Sequence, residues 1–502
     1  MNRIEFVALC FAWTVAVSPA FADDEFDSRR LEPLVRVVDL NVGETADVEL
    51  CDGTTRSVKL VSLVEHRDAV REAVRRSDLV LEIDGQRVEL DAGAYRLPKT
   101  AAGVQVDCSV TGGMNKGGTP AFWGLDKDAR LRFWPEGSPL FHPGTIIYPV
   151  KQAWMVTRTW FDNEVVDGGL SVRKQIYYHA GLDIGASEGL TEVIAATDAL
   201  VVQRGLEVLP DHATGTPAEP RYDVVYLLDP RGWYYRYSHL KEIDPAIQPG
   251  RVIRQGTRIG TVGKEGSSGG WSHLHFEIKS RQPSGKWGTQ AGYAFLREAC
   301  IAQEDLQLIA VARPAHFLVA GEQTTLDGTR SWSADGDIRS FEWTLHDGTK
   351  KQGATVPVTY ADPGVWCETL KVVDGEGRTD YDFAYVVVLD ANDLGHYPAN
   401  VNINFHPTHS IRPGDEVTFK ARAFRMKGGQ EQWDFGDGSP PGTTRSPEDS
   451  EPHAPDGYAA ITHRYQRPGK YLVTVTRTHD NGQTAMAKLC VTVESPNELP
   501  VD

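Results

Sequence analysis

Long periodic runs of helix formers are nearly absent from this chain. Short runs of Val, Thr, Tyr and Trp between Gly, Pro, Asn and Asp take their place, which points to a mostly β protein. Cysteine is sparse, with six residues in 502 and no CxxC pair. That argues against a cysteine-ligated zinc site and against thioredoxin-like chemistry. Basic residues are the minority, 52 Lys and Arg against 69 Asp and Glu, for a net charge of -17. Phosphate binding needs a basic surface, so no nucleic-acid partner is expected. No H-E-x-x-H occurs, which removes the metalloprotease mechanism with a glutamate base on a helix. Past the first 22 residues, no apolar run approaches the roughly 20 residues that span a bilayer.

What is there fits a soluble, multidomain protein. The length of 502 residues predicts three or four domains. Met1 to Ala22 reads as a secretory signal: Arg3 is basic, Phe6 to Val17 is apolar, and Ala20-Phe21-Ala22 is an A-x-A cleavage site. The alternative is an uncleaved anchor. Cleavage implies a secreted, periplasmic or envelope protein with no stable membrane span. It also removes Cys10 and leaves five cysteines, an odd count. At least one thiol then stays free or pairs between chains. Cys51 and Cys108, in one region, are the pair expected in an oxidising compartment.

Residues 35–134 read as a β-rich N-terminal domain of unassigned role. Leu79-Val-Leu-Glu-Ile83 alternates, and Asp84-Gly85 marks a turn. Within it, His66 to Arg76 is expected to form a short helix. Residues 148–297 hold strand candidates at Val193 to Gln203, Val224 to Leu228, Trp233 to Tyr237 and His273 to Lys279. Glycines between them suit an antiparallel sheet and not a βαβ array. The remainder repeats. Trp343 precedes Gly348 by five residues, as Trp433 precedes Gly438; Tyr360 precedes Gly364 by four, as Tyr465 precedes Gly469. The second copy carries an insert rich in Pro, Ser and Asp, Ser439 to Gly457. The two units, 308–391 and 398–495, have the size and strand spacing of β-sandwiches. Trp433-Asp-Phe-Gly-Asp-Gly438 resembles the signature of PKD-type, immunoglobulin-like domains. Trp343 and Trp433 are read as core anchors.

Three short pieces carry the chemistry: His179-Ala-Gly-Leu-Asp183, Tyr237-Ser-His239-Leu240 and His273-Leu-His275. They supply four histidines and one aspartate, residue types that suit zinc. His273 and His275 face one side of a strand, with Leu274 behind it. His179 and Asp183, on an extended segment, also point one way; Gly181 and Gly185 argue against a helix there. Each piece alone is equally served by hydrogen-bonded histidines. Five groups exceed the needs of one tetrahedral ion, and hydrolysis also needs groups that handle protons. Spacing does not separate ligands from proton-handling groups.

Order and surroundings resemble the M23 (lysostaphin- and LytM-type) zinc metallopeptidases. The shared motifs are His179-Ala-Gly181-Leu-Asp183, Tyr237-Ser-His239-Leu240, Ile253-Arg-Gln-Gly256-Thr-Arg-Ile259-Gly260-Thr-Val-Gly263 and His273-Leu-His275-Phe-Glu277. The family often has Gly-Pro before the last motif, where Gly270-Trp271-Ser272 stands here, so Trp271 is expected to reshape the pocket wall. The resemblance implies an antiparallel-sheet domain holding one Zn2+ on His179, Asp183 and His275. It implies that His239 and His273 stay off the metal and act on water and the transition state. It further implies a bacterial zinc metalloendopeptidase acting on peptidoglycan cross-links. The alternatives are a peptidase acting on extracellular proteins, and a non-catalytic envelope or adhesion protein. The PKD-type modules are read as substrate- or surface-binding appendages, with a rigid spacer as the alternative. The loop Leu206 to Arg221 is expected to rim the cleft, with His212 solvated and away from the site.

Overall fold

The computed structural model describes residues 31–114, 120–165, 178–448 and 450–495. The expected signal, residues 1–22, lies outside them. No helix among the described residues is long and apolar enough to cross a membrane.

The N-terminal region folds as two four-stranded antiparallel sheets, one ordered Arg36–Leu40, Ala129–Pro135, Val104–Thr111, Lys99–Ala101, the other Thr45–Glu49, Thr55–Arg67, Val74–Ile83, Gln86–Ala92. Alternation decides what they bury. Leu79, Leu81 and Ile83 point inward and meet Val58, Leu60, Val106 and Leu131. The helix expected over His66 to Arg76 is not formed. Those residues are the ends of two paired strands and the loop between them. Asp68 accepts the backbone N–H groups of Val70 (3.0 Å) and Arg71 (2.5 Å) and so closes that loop. The expected Cys51–Cys108 disulfide is also absent. Both thiols are free; Cys108 sits in the core, whereas Cys51 stands on the turn after Thr45–Glu49.

The central region is built on a nine-stranded antiparallel sheet. Its main path runs Glu207–Val208, Ala199–Arg204, Val225–Leu228, Tyr234–Ser238, His273–Arg281, Leu182–Gly185, Trp160–Asp162. A three-stranded sheet, Glu192–Ile194, Arg258–Val262, Leu240–Ile243, packs beside it. The single strand expected over Val193 to Gln203 is thus two strands in different sheets. The core holds Leu182, Leu227, Tyr235, Leu274, Phe276 and Ile278, and the helix Tyr293–Glu304 adds Phe295 and Leu296.

The C-terminal region is two β-sandwich modules. Trp343 and Trp433 are fully buried in their respective cores, as the repeat predicts. The modules share one nine-stranded sheet, joined where Gly364–Asp374 meets Thr484–Val493 in parallel at Val365 and Ala485. The fold is mostly β, with an antiparallel central domain, a β-rich N-terminal domain and two C-terminal sandwiches.

Candidate metal centre

The pairing register assembles the site. Strand His273–Arg281 lies between Leu182–Gly185 and Tyr234–Ser238, which places Asp183 opposite His275 and Gly185 opposite His273. Directly opposed side chains in an antiparallel pair lie on one face, within reach of each other. His273 and His275 share that face while Leu274 is fully buried on the other. His179 precedes the strand and reaches the site through Gly181, whose φ is +107°. A Cβ there would stand 2.8 Å from the Phe276 carbonyl oxygen, so the motif needs glycine at that point. His239 follows Ser238 with φ of +67°. At that residue the chain leaves the large sheet for the small one, starting at Leu240.

His179 Nε2 lies 2.8 Å from His275 Nδ1 and 3.1 Å from Asp183 Oδ1, and His275 Nδ1 lies 2.9 Å from the same oxygen. All three residues are buried. With Asp183 ionised, protons on the imidazoles cannot make all three contacts favourable. Whichever nitrogens carry them, one contact stays donor to donor or lone pair to lone pair. A single cation at the common point satisfies all three, and two imidazoles with a carboxylate are a zinc-type donor set. Burial pushes the Asp183 carboxyl up, but His179 and His273 outweigh it and hold it well below the usual range. Burial lowers His179, and Asp183 reverses this and raises it.

The outer nitrogens differ. His179 Nδ1 is buried with no partner among the described residues. His275 Nε2 stands 3.9 Å from Glu277 Oε2. Glu277 is buried and takes a hydrogen bond from Thr289 Oγ1 at 2.6 Å. Burial raises its carboxyl, but Lys279, His275 and Arg236 hold it well below the usual range. A carboxylate behind a ligating imidazole fixes the ring and raises its basicity. Sequence reasoning gave Glu277 no role, although its i+2 position already put it on the face of His273 and His275.

His239 and His273 sit beside this cluster, with ring centroids 4.6 Å apart. His239 Nδ1 donates to the Glu265 carbonyl at 2.6 Å, and His273 Nδ1 donates to the Trp271 carbonyl at 3.0 Å. A carbonyl only accepts, so each neutral ring has its lone pair at Nε2. Burial lowers the pKa of both, His273 to about 3. Trp271 stacks on His273 at 3.6 Å and 15°, so it does shape the pocket wall. Asp223, unnoticed in the sequence, accepts the backbone N–H of His239 at 2.9 Å and two bonds from Arg221, at 2.6 and 2.7 Å. No periodic pattern marks it; it stands in a loop after a proline-rich segment.

Residues 177–286 match the model of peptidase family M23, and residues 309–388 and 400–491 each match a PKD domain model. The chain carries an M23 peptidase domain followed by two PKD domains. Among solved structures, Helicobacter pylori Csd3 in its orthorhombic crystal is 12% identical over 56% of this chain and 86% of that one, with a TM-score of 0.22. Clostridium thermocellum CbhA fibronectin(III)-like modules are 13% identical over 39% of this chain and 98% of theirs, with a TM-score of 0.16. Likenesses at these scores carry no argument about this chain.

The M23 domain's histidines open on a cleft of about 520 Å³. Phe161 and Trp271 line it with the histidines, and Asn400, Asn402, Phe424 and Arg425 of the second PKD domain line it too. That domain is docked by polar contacts. Arg422 Nη1 donates to the Gly270 carbonyl at 2.7 Å, and Ser272 N–H donates to the Tyr458 hydroxyl at 2.8 Å. From the insert, His453 Nε2 donates to the Gly266 carbonyl at 2.7 Å. The insert therefore packs on the loop that precedes His273. Of the loop Leu206 to Arg221, Arg221 reaches the cleft. His212 bonds the Tyr234 hydroxyl at 2.7 Å and is half-buried, not solvated.

Proposed function

We propose that this protein is a secreted zinc metalloendopeptidase. The observation that carries the reading is the convergence of His179, Asp183 and His275 beside two histidines whose Nδ1 atoms are both tied to carbonyls. His179 Nε2, Asp183 Oδ1 and His275 Nδ1 would hold the ion. Bound there, zinc supplies Lewis acidity to a scissile carbonyl and makes water more acidic.

His239 and His273 then handle the proton. His239 accepts it at Nε2 from the attacking water and returns it to the leaving amine. Asp223 holds the His239 backbone while Glu265 fixes its tautomer. Neutral His273 also offers a lone pair at Nε2, so it stabilises an oxyanion only when protonated. Asp183 Oδ1, 3.5 Å from that nitrogen, favours the protonated form, but burial outweighs it and keeps the resting ring neutral, so this role requires a proton taken up during turnover. The resemblance to M23 peptidases supports peptidoglycan cross-links as the substrate, in the envelope or outside the cell. The test is incubation with cross-linked peptidoglycan and with soluble protein, measuring new amino termini. Release from peptidoglycan that is lost in His239→Ala is expected. Release from protein alone would move the substrate to extracellular proteins. No release from either would leave the chain as a binding protein.

A further inference from the structure

Among the described residues, two arginines in the cleft have no carboxylate partner. Arg158 is 2% exposed and lines the cavity. Its Nη2 donates to Asn400 and to the Val401 carbonyl, and its guanidinium stands 4.3 Å from the Tyr385 ring. Its Nε and Nη1 are buried with no hydrogen-bond partner among the described residues. Arg425, from the second PKD domain, lines the same cavity. It stacks on Tyr397 at 4.6 Å and spends only Nε on the protein, on the Pro398 carbonyl at 3.1 Å. The other cleft cations are paired, Arg221 with Asp223 and Arg236 with Glu277 at 3.7 Å. The carboxylate of Glu164, which also lines the cleft, is engaged by the Tyr95 hydroxyl and the Ala315 N–H.

Leaving a buried guanidinium N–H unpaired is costly. That cost falls on buried Arg158; Arg425 is exposed, and in a chain with a net charge of -17, where carboxylates are plentiful, neither pairs with one among the described residues. Guanidinium groups hold carboxylates through paired N–H bonds of matched geometry. The cavity of about 520 Å³ is roughly 10 Å across, about three extended residues.

We propose that Arg158 and Arg425 form a carboxylate-binding subsite, and that the substrate is a peptide with a free carboxylate within about three residues of the scissile bond. The second PKD domain is then a wall of the substrate cleft, beyond any role as a surface-binding appendage. This inference rests on the peptidase reading and names its substrate class.

The experiment uses the full chain and peptides sharing one scissile bond. One carries a side-chain carboxylate, one carries only a C-terminal carboxylate, and one has both replaced by amides. Wild type is expected to favour a carboxylate peptide by roughly tenfold to hundredfold in kcat/KM, as for loss of a charge-assisted pair. The preferred one of the two identifies the source. Arg425→Gln, at an exposed position, should reduce that ratio to within about twofold of unity. Arg158→Gln should do the same if it folds. Equal hydrolysis of all three peptides by wild type overturns the inference, as does a preference that Arg425→Gln leaves intact. If no peptide is cut, the peptidase reading fails instead. The subsite is then decided by calorimetry on metal-free protein with the uncut peptides. Carboxylate-dependent binding that Arg425→Gln abolishes supports it, and equal or absent binding overturns it.

Discussion

Replacing Asp223 with asparagine weakens the anchor behind His239 while leaving His179, Asp183 and His275 untouched. Asp223 is fully buried at its side chain and accepts three bonds, one from His239 N–H and two from Arg221. Burial raises its carboxyl, but His239 and Arg221 hold it well below the usual range. Asparagine keeps one acceptor and turns an amide donor toward a guanidinium that can only donate. One or two charge-assisted bonds are lost, each about 1.5–3 kcal/mol. Arg221 is 26% exposed, so water recovers part of that, and a loss of about 1–3 kcal/mol is expected. A positioned base contributes roughly a hundredfold to ten-thousandfold. A base left in place but loosened should lose part of this, about tenfold to hundredfold in kcat. The assay is kcat on a soluble peptide, with metal content and urea unfolding on the same preparation. An unchanged kcat would refute the role given to Asp223, and so would activity that falls only in step with metal content.

Glu277→Gln should weaken metal binding by about tenfold to hundredfold, read by competition with a chelator, because it replaces the carboxylate behind His275 with a neutral amide. Gly181→Ala should lower both Tm and metal occupancy, at a cost of about 1–3 kcal/mol, since its Cβ would collide with the Phe276 carbonyl at positive φ. Burial pushes Asp162 up to about 7, so the folded protein keeps a proton that the unfolded chain releases near pH 4. That contribution is fully present below about pH 4 and lost as pH rises through about 7, by up to about 4 kcal/mol. Asp162→Asn should flatten that slope when urea unfolding is compared with wild type across the range.

The sequence made the chemistry legible where a local period carried it. His273 and His275 share a face because a strand alternates, and Trp343 and Trp433 were readable as anchors because the repeat set them at matching positions. Asp183 meets His275 through cross-strand register, which no local pattern states. Asp223 and Glu265 reach His239 from loops, by backbone and carbonyl contacts that depend on where the chain turns. The Ser439 to Gly457 insert was visible as an insertion, but its target, the Gly266 to Gly270 loop, belongs to another domain. His66 to Arg76 has a composition that suits a helix; pairing of the flanking strands and the Asp68 turn decide otherwise. Cys51 and Cys108 share a domain, but one faces the core and the other lies on a turn.

The central claim is that His179, Asp183 and His275 hold one catalytic zinc. The most direct test is elemental analysis of the purified mature protein and of His275→Ala, with peptide release assayed on both. About one zinc per chain in the wild type, falling in the variant together with release, is the predicted result. A wild-type protein that binds no zinc, or a variant that keeps its zinc and its activity, would contradict the account.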